Sequence, residues 1–266
     1  MFSIRKCVGK VESLKMPNLC THFNFGLKTM AALQDPSIGA YLGSFLLGCT
    51  APDVRAVTKW RRDHTHFATL EVDRIGVGTE GLFGHNPDLY QEVKRTGATR
   101  SFIAGYISHL TTDEAWITQI YRPYFGDREK FPNGIEANVW DRAVQLDMER
   151  ESIDQMMNVD DIIEALQDAD RGVGIGFIDA KILRNWNDWV ADFIGRPFKW
   201  DRLYFLVKRM YREDEEAQLV ANNFLSSLYP NLNKVYRKVP RSLIKDFESM
   251  AVCESTRLIR EHLDGP

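Results

Sequence analysis

Apolar positions along this chain recur at intervals of three and four rather than in strict alternation, a period that predicts helices over most of its length. The clearest run is Thr99 to about Tyr121, where Phe102, Tyr106, His109, Asp113, Trp116 and Ile120 share one stripe. Ile103, Ile107, Leu110 and Ile117 make the neighbouring stripe apolar too, so this helix is expected to be buried on most sides and to lie at the centre of the fold. Thr21 is the expected N-cap of a helix reaching about Leu33, and Asp35-Pro36 opens a second one through about Gly48. Further helices fit residues 137–151 and 159–169, and another places Ile182, Trp186, Trp189, Val190 and Phe193 on one face before Gly195-Arg196-Pro197 stops it. A long pattern spans about Trp200 to Leu228, and a last one Ser242 to His262. Alternating runs of Val, Ile and Thr between tight turns are hard to find. The expected fold class is all-α.

Two stretches break the period. Residues 49–67, CTAPDVRAVTKWRRDHTHF, read as a long loop with short helical pieces, and Gly76, Gly78, Gly81, Gly84 and Pro87 extend the irregular region until a helix restarts near Asp88. Loops of this length in a compact domain are usually functional or disordered. Gly172-Val173-Gly174-Ile175-Gly176 lacks the preceding strand and the full spacing of a dinucleotide loop, and reads as a flexible joint between helices.

At 266 residues and 44% apolar content the chain can bury a substantial core, and its net charge of −3 gives no bulk attraction for nucleic acid or an acidic membrane. Cys7, Cys20, Cys49 and Cys253 are scattered, which suits free thiols in a reducing compartment. The N-terminal MFSIRKCVGKVESLKM lacks the continuous apolar stretch of a secretory signal, and the expected location is the cytoplasm. No segment approaches the roughly 20 apolar residues of a membrane span.

The chemistry concentrates early, since five of the six histidines precede residue 110. His109 and Asp113 stand four apart, so a helix projects both from one face, close enough to grip one cation. An ionised carboxylate on a buried stripe is costly unless paired or metal-bound, and the same stripe offers Asp113 no Lys or Arg. The structural alternative is a hydrogen-bonded core histidine, with Asp113 paired to an arginine from elsewhere. His22, among aromatics in Thr-His-Phe-Asn-Phe-Gly, is by itself the kind of histidine more often found as a core residue than as a ligand. Asp53 could bond nearby amides at its turn, or act as general base or metal ligand. His64 and His66 flank Thr65, and one or both could complete a metal site; His64 is also a candidate catalytic group. Arg55, Lys59, Arg61 and Arg62 could hold phosphate oxygens. No His-Glu-x-x-His, His-Asp, Gly-x-Ser-x-Gly or Walker motif occurs.

Taken in order, THFNFG around His22, the apolar helix ending at Ala-Pro-Asp53, HTHF with His66, and FIAGYISHLTTDEAW with His109 and Asp113 resemble the zinc-dependent phospholipase C family, relatives of the P1-type nucleases. The resemblance covers roughly residues 16–120. It implies an all-α, phospholipase C/P1 nuclease-like domain over 16–266, with a metal-site half to about 126, a C-terminal helical half from about 127 and an N-terminal extension over 1–15. It also implies that His22, Asp53, His66, His109 and Asp113 hold zinc, with Asp53 beside the reactive water and Asp113 placed to bridge two ions. His66, before Phe67, matches the family histidine better than His64 does. Glu114 could supplement the site, although neighbours on a helix point about 100° apart. The implied reaction is phosphoester hydrolysis, on a small molecule or a phospholipid headgroup, with specificity set by residues 60–90 and the joint near 174. Trp60, Phe67, Phe83 and Tyr90 would suit a choline-like group. The chain departs from the family after the central helix, where His262 is the one remaining histidine, so one or two ions are expected rather than three. The competing expectation is a non-catalytic helical binding or scaffold protein, its His/Asp cluster closed around a structural metal or its own hydrogen bonds.

Overall fold

A computed structural model describes residues 18–156, 158–212 and 214–264, so the expected extension over 1–15 and Cys7 lie outside the described residues. Helices account for the architecture, and no strand occurs among the described residues. In chain order they are α1 (Leu19–Leu33), α2 (Pro36–Gly39), α3 (Leu42–Gly48), α4 (Arg55–Thr58), α5 (Arg62–His66), α6 (Val77–His85), α7 (Leu89–Arg95) and α8 (Gly97–Ala115). There follow α9 (Gly134–Gln155), α10 (Val159–Leu166), α11 (Ala180–Ile194), α12 (Arg202–Tyr211), α13 (Glu215–Ser226), α14 (Leu228–Lys238) and α15 (Arg241–Leu263). Among the described residues, no helix is long and apolar enough to cross a membrane.

Helix α8 is the expected central helix, buried from Ser101 to Ala115, and it runs on into a π-helical stretch, Trp116–Phe125. Its N-cap is Thr96, whose hydroxyl accepts the Thr99 N–H. Helices α3 and α15 pack along it. The contact with α3 depends on glycines. A Cβ on Gly48 would lie 2.0 Å from the Phe102 carbonyl oxygen, and one on Gly105 would lie 2.0 Å from that of Phe45. Small residues therefore let the two backbones touch.

The apolar interior falls into two large clusters that meet along α8. Leu110 belongs to the first, with α1, α3, α10, α11 and the end of α15. Ala115 and Trp116 belong to the second, with α9, α12, α13, α14 and the start of α15. Asp113 lies at the seam.

Several boundaries differ from expectation for identifiable reasons. Helix α1 starts at Leu19 after Asn18, and Thr21 is buried inside it rather than capping it. The predicted helix over 36–48 is broken at Ala40-Tyr41 into α2 and α3. The glycine-rich region is helical as α6, because the Glu114 carboxylate accepts the Gly76 and Gly78 N–H groups (2.6 and 2.5 Å) and organises its first turn. Gly78 and Gly81 serve close packing, since a Cβ on either would meet a carbonyl oxygen, that of His66 at 2.7 Å or that of Phe67 at 2.5 Å. The joint at 172–176 is tied down by the start of α8: Thr96 Oγ1 donates to the Gly172 carbonyl and Gly174 N–H donates to Thr99 Oγ1. The pattern over 200–228 is two helices, α12 and α13, divided near Arg212, whose φ of 54° ends the first.

Adding a methyl at the α3–α8 contact tests this packing. Gly105→Ala should destabilise the fold by about 3 kcal/mol, the upper part of the usual range for overpacking. Gly84→Ala, with nothing within 4 Å of the added carbon, should be neutral or stabilising by up to about 1 kcal/mol. Thermal or urea unfolding of both variants checks the contrast.

Candidate metal centre

Four segments that are distant in sequence converge on Asp113. Helix α1 contributes His22, a 3-10 turn over Ala51–Val54 contributes Asp53, α5 contributes His66, and α8 contributes His109 one turn before Asp113. The three histidines and Asp113 are each 1% exposed or less, whereas the Asp53 side chain is 25% exposed. His22 Nε2 is 3.4 Å from Asp113 Oδ1. His66 Nε2 and His109 Nε2 are 3.2 and 3.6 Å from Asp113 Oδ2, and His66 Nε2 is 3.8 Å from Asp53 Oδ1.

The imidazoles are oriented from behind. His109 Nδ1–H donates to the Cys49 carbonyl (2.8 Å). A carbonyl only accepts, so the proton is on Nδ1 and the Nε2 lone pair faces the cluster, the arrangement found in histidine ligands. His66 Nδ1 is 3.1 Å from Thr65 Oγ1, and the Tyr106 hydroxyl donates to the Thr65 carbonyl, fixing the end of α5 against α8. The rings of His22 and His109 stack at 3.8 Å.

These approaches are long or misdirected for hydrogen bonds, although all three imidazoles act on the Asp113 carboxylate. Both nitrogens of His22, Nε2 of His66, Nε2 of His109 and Oδ1 of Asp113 are buried without a hydrogen-bond partner. Buried polar atoms normally have one. Lone pairs aimed at a carboxylate repel it unless a proton or a cation lies between. Ligands about 2.1 Å from a tetrahedral zinc ion are about 3.4 Å from one another, and the contacts above span 3.2–3.8 Å. Two overlapping triads, His22/Asp53/His109 and His66/His109/Asp113, each bring ligand atoms within 4.8 Å of one another. The residues fit one ion or a pair.

The titration behaviour agrees. Burial lowers His22 below the ordinary imidazole value, with His109 adding to it, and burial and Arg62 lower His66 well below. Both are neutral at pH 7, the ligating form. Burial opposes the charged form of His109 as well, but the Asp113 carboxylate outweighs it and raises that imidazole. Burial also works against the Asp113 carboxylate, yet His109, His22 and His66 hold it well below the ordinary range.

Arg62, from α5 rather than from the stripe of α8, is the arginine from elsewhere that the structural alternative expected beside Asp113. Its guanidinium is buried and donates to Asp113 Oδ2 (3.3 Å), so it is not a cleft residue for phosphate. Arg61 is exposed, pairs with Asp63 (2.7 Å) and does not line the cleft described below. His64 is exposed against the Trp60 ring at 4.6 Å, away from the cluster. Positions two apart on a helix point about 200° apart, so α5 can offer His66 or His64 to the centre but not both. Glu114 is turned to the α6 amides, and burial raises its pKa to about 7.

A cleft of about 1870 Å³ opens onto the cluster through Asp53. Arg55 and Lys59 line it as expected, together with Trp60. The rest of its wall is not the predicted 60–90 region. Phe83 stacks on Tyr90 (4.6 Å) and Phe67 packs against Phe177 (5.4 Å) instead. The wall comes from α9, α11 and α12: Arg142 and Glu149, a ladder of Trp186, Trp189 and Phe193, and Arg202 over the Phe193 ring at 4.8 Å. Sequence reading missed these. The available signal was the row Asp141, Gln145, Glu149 at a spacing of four, beside Arg142, all of it buried on α9.

No protein-family model matches this chain, and no curated protein or solved structure matches it either.

Neutralising Arg62 separates a metal centre from a closed ion-pair cluster. Arg62→Gln should cost the metal-free protein about 3 kcal/mol, as for breaking a buried pair, and added zinc should restore the melting temperature because Asp113 is left free for it. A loss that zinc does not recover would mark Arg62 as the structural partner of Asp113.

Proposed function

We propose that this chain is a metal-dependent hydrolase of phosphoesters, phospholipase C-like in its site and fold, with His22, Asp53, His66, His109 and Asp113 holding one or two zinc ions. The supporting observation is the convergence of unpartnered imidazole nitrogens on the two oxygens of one buried carboxylate, at the end of a cleft whose basic residues outnumber its acidic ones. Zinc in such a site supplies a Lewis acid for a phosphoryl oxygen and lowers the pKa of a water it binds.

The chain's own residues do the rest. Asp113 offers one oxygen to His22 and the other to His66 and His109, which suits a bridging carboxylate. Asp53 is the cluster member that faces the cleft, and it takes the proton of the attacking water. Arg55 and Lys59 draw the anionic substrate to it. Trp60, Trp186 and Trp189 give the wall an apolar side for the remainder of a small phosphoester or a phospholipid headgroup. The buried thiols of Cys20 and Cys49 suit a reducing compartment, the basis for placing the reaction in the cytoplasm.

A second reading has one observation in its favour. Arg62 already offsets the charge of Asp113, as a binding or scaffold protein without catalysis would require.

Metal analysis and phosphodiesterase and phosphomonoesterase assays on chelator-free protein test the proposal. Wild type should carry about one or two zinc ions per chain. Asp113→Asn should lose the metal and at least about 10³-fold of the activity, while His64→Ala should keep both. An Asp113→Asn protein with wild-type metal and turnover would overturn the assignment.

A further inference from the structure

Arg142 stands out among the charged residues of the cleft because it is buried. It is among the largest fully buried side chains, yet it lines the cleft, together with Asp53 and Arg55. Few positions justify a buried guanidinium, because its desolvation must be offset by neighbouring charge. Burial lowers its pKa, and Asp141, Asp53 and Asp113 are the carboxylates that counter this. Asp141 is itself held by Trp116 Nε1–H (3.1 Å) and Gln145 Nε2–H (2.9 Å), so the arginine is set against a fixed neighbour.

The charges around the cluster then decide what else the site can hold. Asp53, Asp113, Asp141 and Glu149 are matched by Arg55, Arg62, Arg142 and Arg202, the last pairing with Glu149 at 3.5 Å, with the histidines neutral as ligands must be. That set balances before any cation arrives. A divalent ion leaves two positive charges at the end of a cleft, where uncompensated charge is costly. A phosphate dianion cancels them, and a planar guanidinium presents paired donors to two of its oxygens.

We propose that Arg142 and Arg55 form an oxyanion subsite beside Asp53, and that a phosphate dianion, free or as the terminal phosphate of a monoester, completes the metal-loaded site. The inference rests on the reading that the His/Asp cluster holds a divalent cation. It assigns to this chain's own arginines the grip on the ligand's oxygens.

The test is thermal unfolding of zinc-loaded protein, its metal content measured on the same sample, at pH 8, well above the second pKa of about 6 of a phosphomonoester. Inorganic phosphate and phenyl phosphate at about 100 times their dissociation constants should each raise the melting temperature by on the order of 5 °C. Dimethyl phosphate, a monoanion, should move it by less than about a fifth of that. A response to inorganic phosphate alone would identify free phosphate as the source. Arg142→Gln and Arg55→Gln should each weaken phosphate binding by at least about 10-fold with zinc content unchanged, and Arg61→Gln should leave binding as it is. Should Arg142→Gln fail to fold, Arg55→Gln and the preference for dianions decide. Zinc bound with no response to phosphate, an equal response to dimethyl phosphate, or wild-type binding in both arginine variants would overturn this inference and leave the metal centre standing. Absence of zinc would overturn both.

Discussion

A carboxylate fully withdrawn from water in the middle of a helical protein has to be neutralised by its surroundings, and Asp113 imposes that demand on this fold. It sits on the central helix at the seam between two apolar clusters, where no solvent can share its charge. Everything polar nearby is arranged around it: His22, His66 and His109 from three helices, Arg62 at 3.3 Å, and Asp53 on the side toward the cleft. Burying one charge would be expected to recruit one counter-charge. Three imidazoles with bare nitrogens are more than that requires, and the excess is what favours a cation.

The packing exists in a form that permits this convergence. Gly48 and Gly105 let α3 run against α8 with the backbones in contact, and that brings the Cys49 carbonyl within reach of His109 Nδ1. Tyr106, three residues before His109, ties down the carbonyl of Thr65 and with it the position of His66. Glu114, the next residue after Asp113, holds the amides that start α6. One helix face therefore supplies a ligand pair while its neighbouring positions place the segments that carry other ligands. A change at Gly105 or Tyr106 acts on the centre through geometry, at a distance from any ligand atom.

Much of the fold and of the site is readable in the order of residues, for physical reasons that also explain the failures. The stripe from Phe102 to Ile120 is long and strongly periodic, so the central helix and the shared face of His109 and Asp113 follow from spacing alone. The all-helical class follows from the absence of alternation. The break near Arg212 has no proline or glycine to announce it, and the one at Ala40-Tyr41, though flanked by Gly39 and Gly43, is likewise decided by tertiary packing. The glycines of α6 signal a loop when read locally, because the Glu114 carboxylate that organises that helix is far away in sequence. The Phe67 that follows His66 already favoured it over His64 as a ligand, but setting His64 aside as a catalytic group needed the direction of α5, and finding Arg62 beside Asp113 needed the tertiary structure. Arg142 and Glu149 were obscured because buried polar residues on a helix resemble an exposed face until its environment is known.

The proposed chemistry requires that the gap among these side chains hold a metal. X-ray absorption at the zinc edge, on protein purified without chelators and loaded with zinc, tests it most directly. The structure predicts nitrogen and oxygen scatterers at about 2.0–2.2 Å with the outer-ring signature of several imidazoles, lost when Asp113 is replaced. Sulfur ligation at about 2.3 Å, or zinc surrounded by water alone, would contradict it and leave the cluster as a buried ion-pair network closed by Arg62.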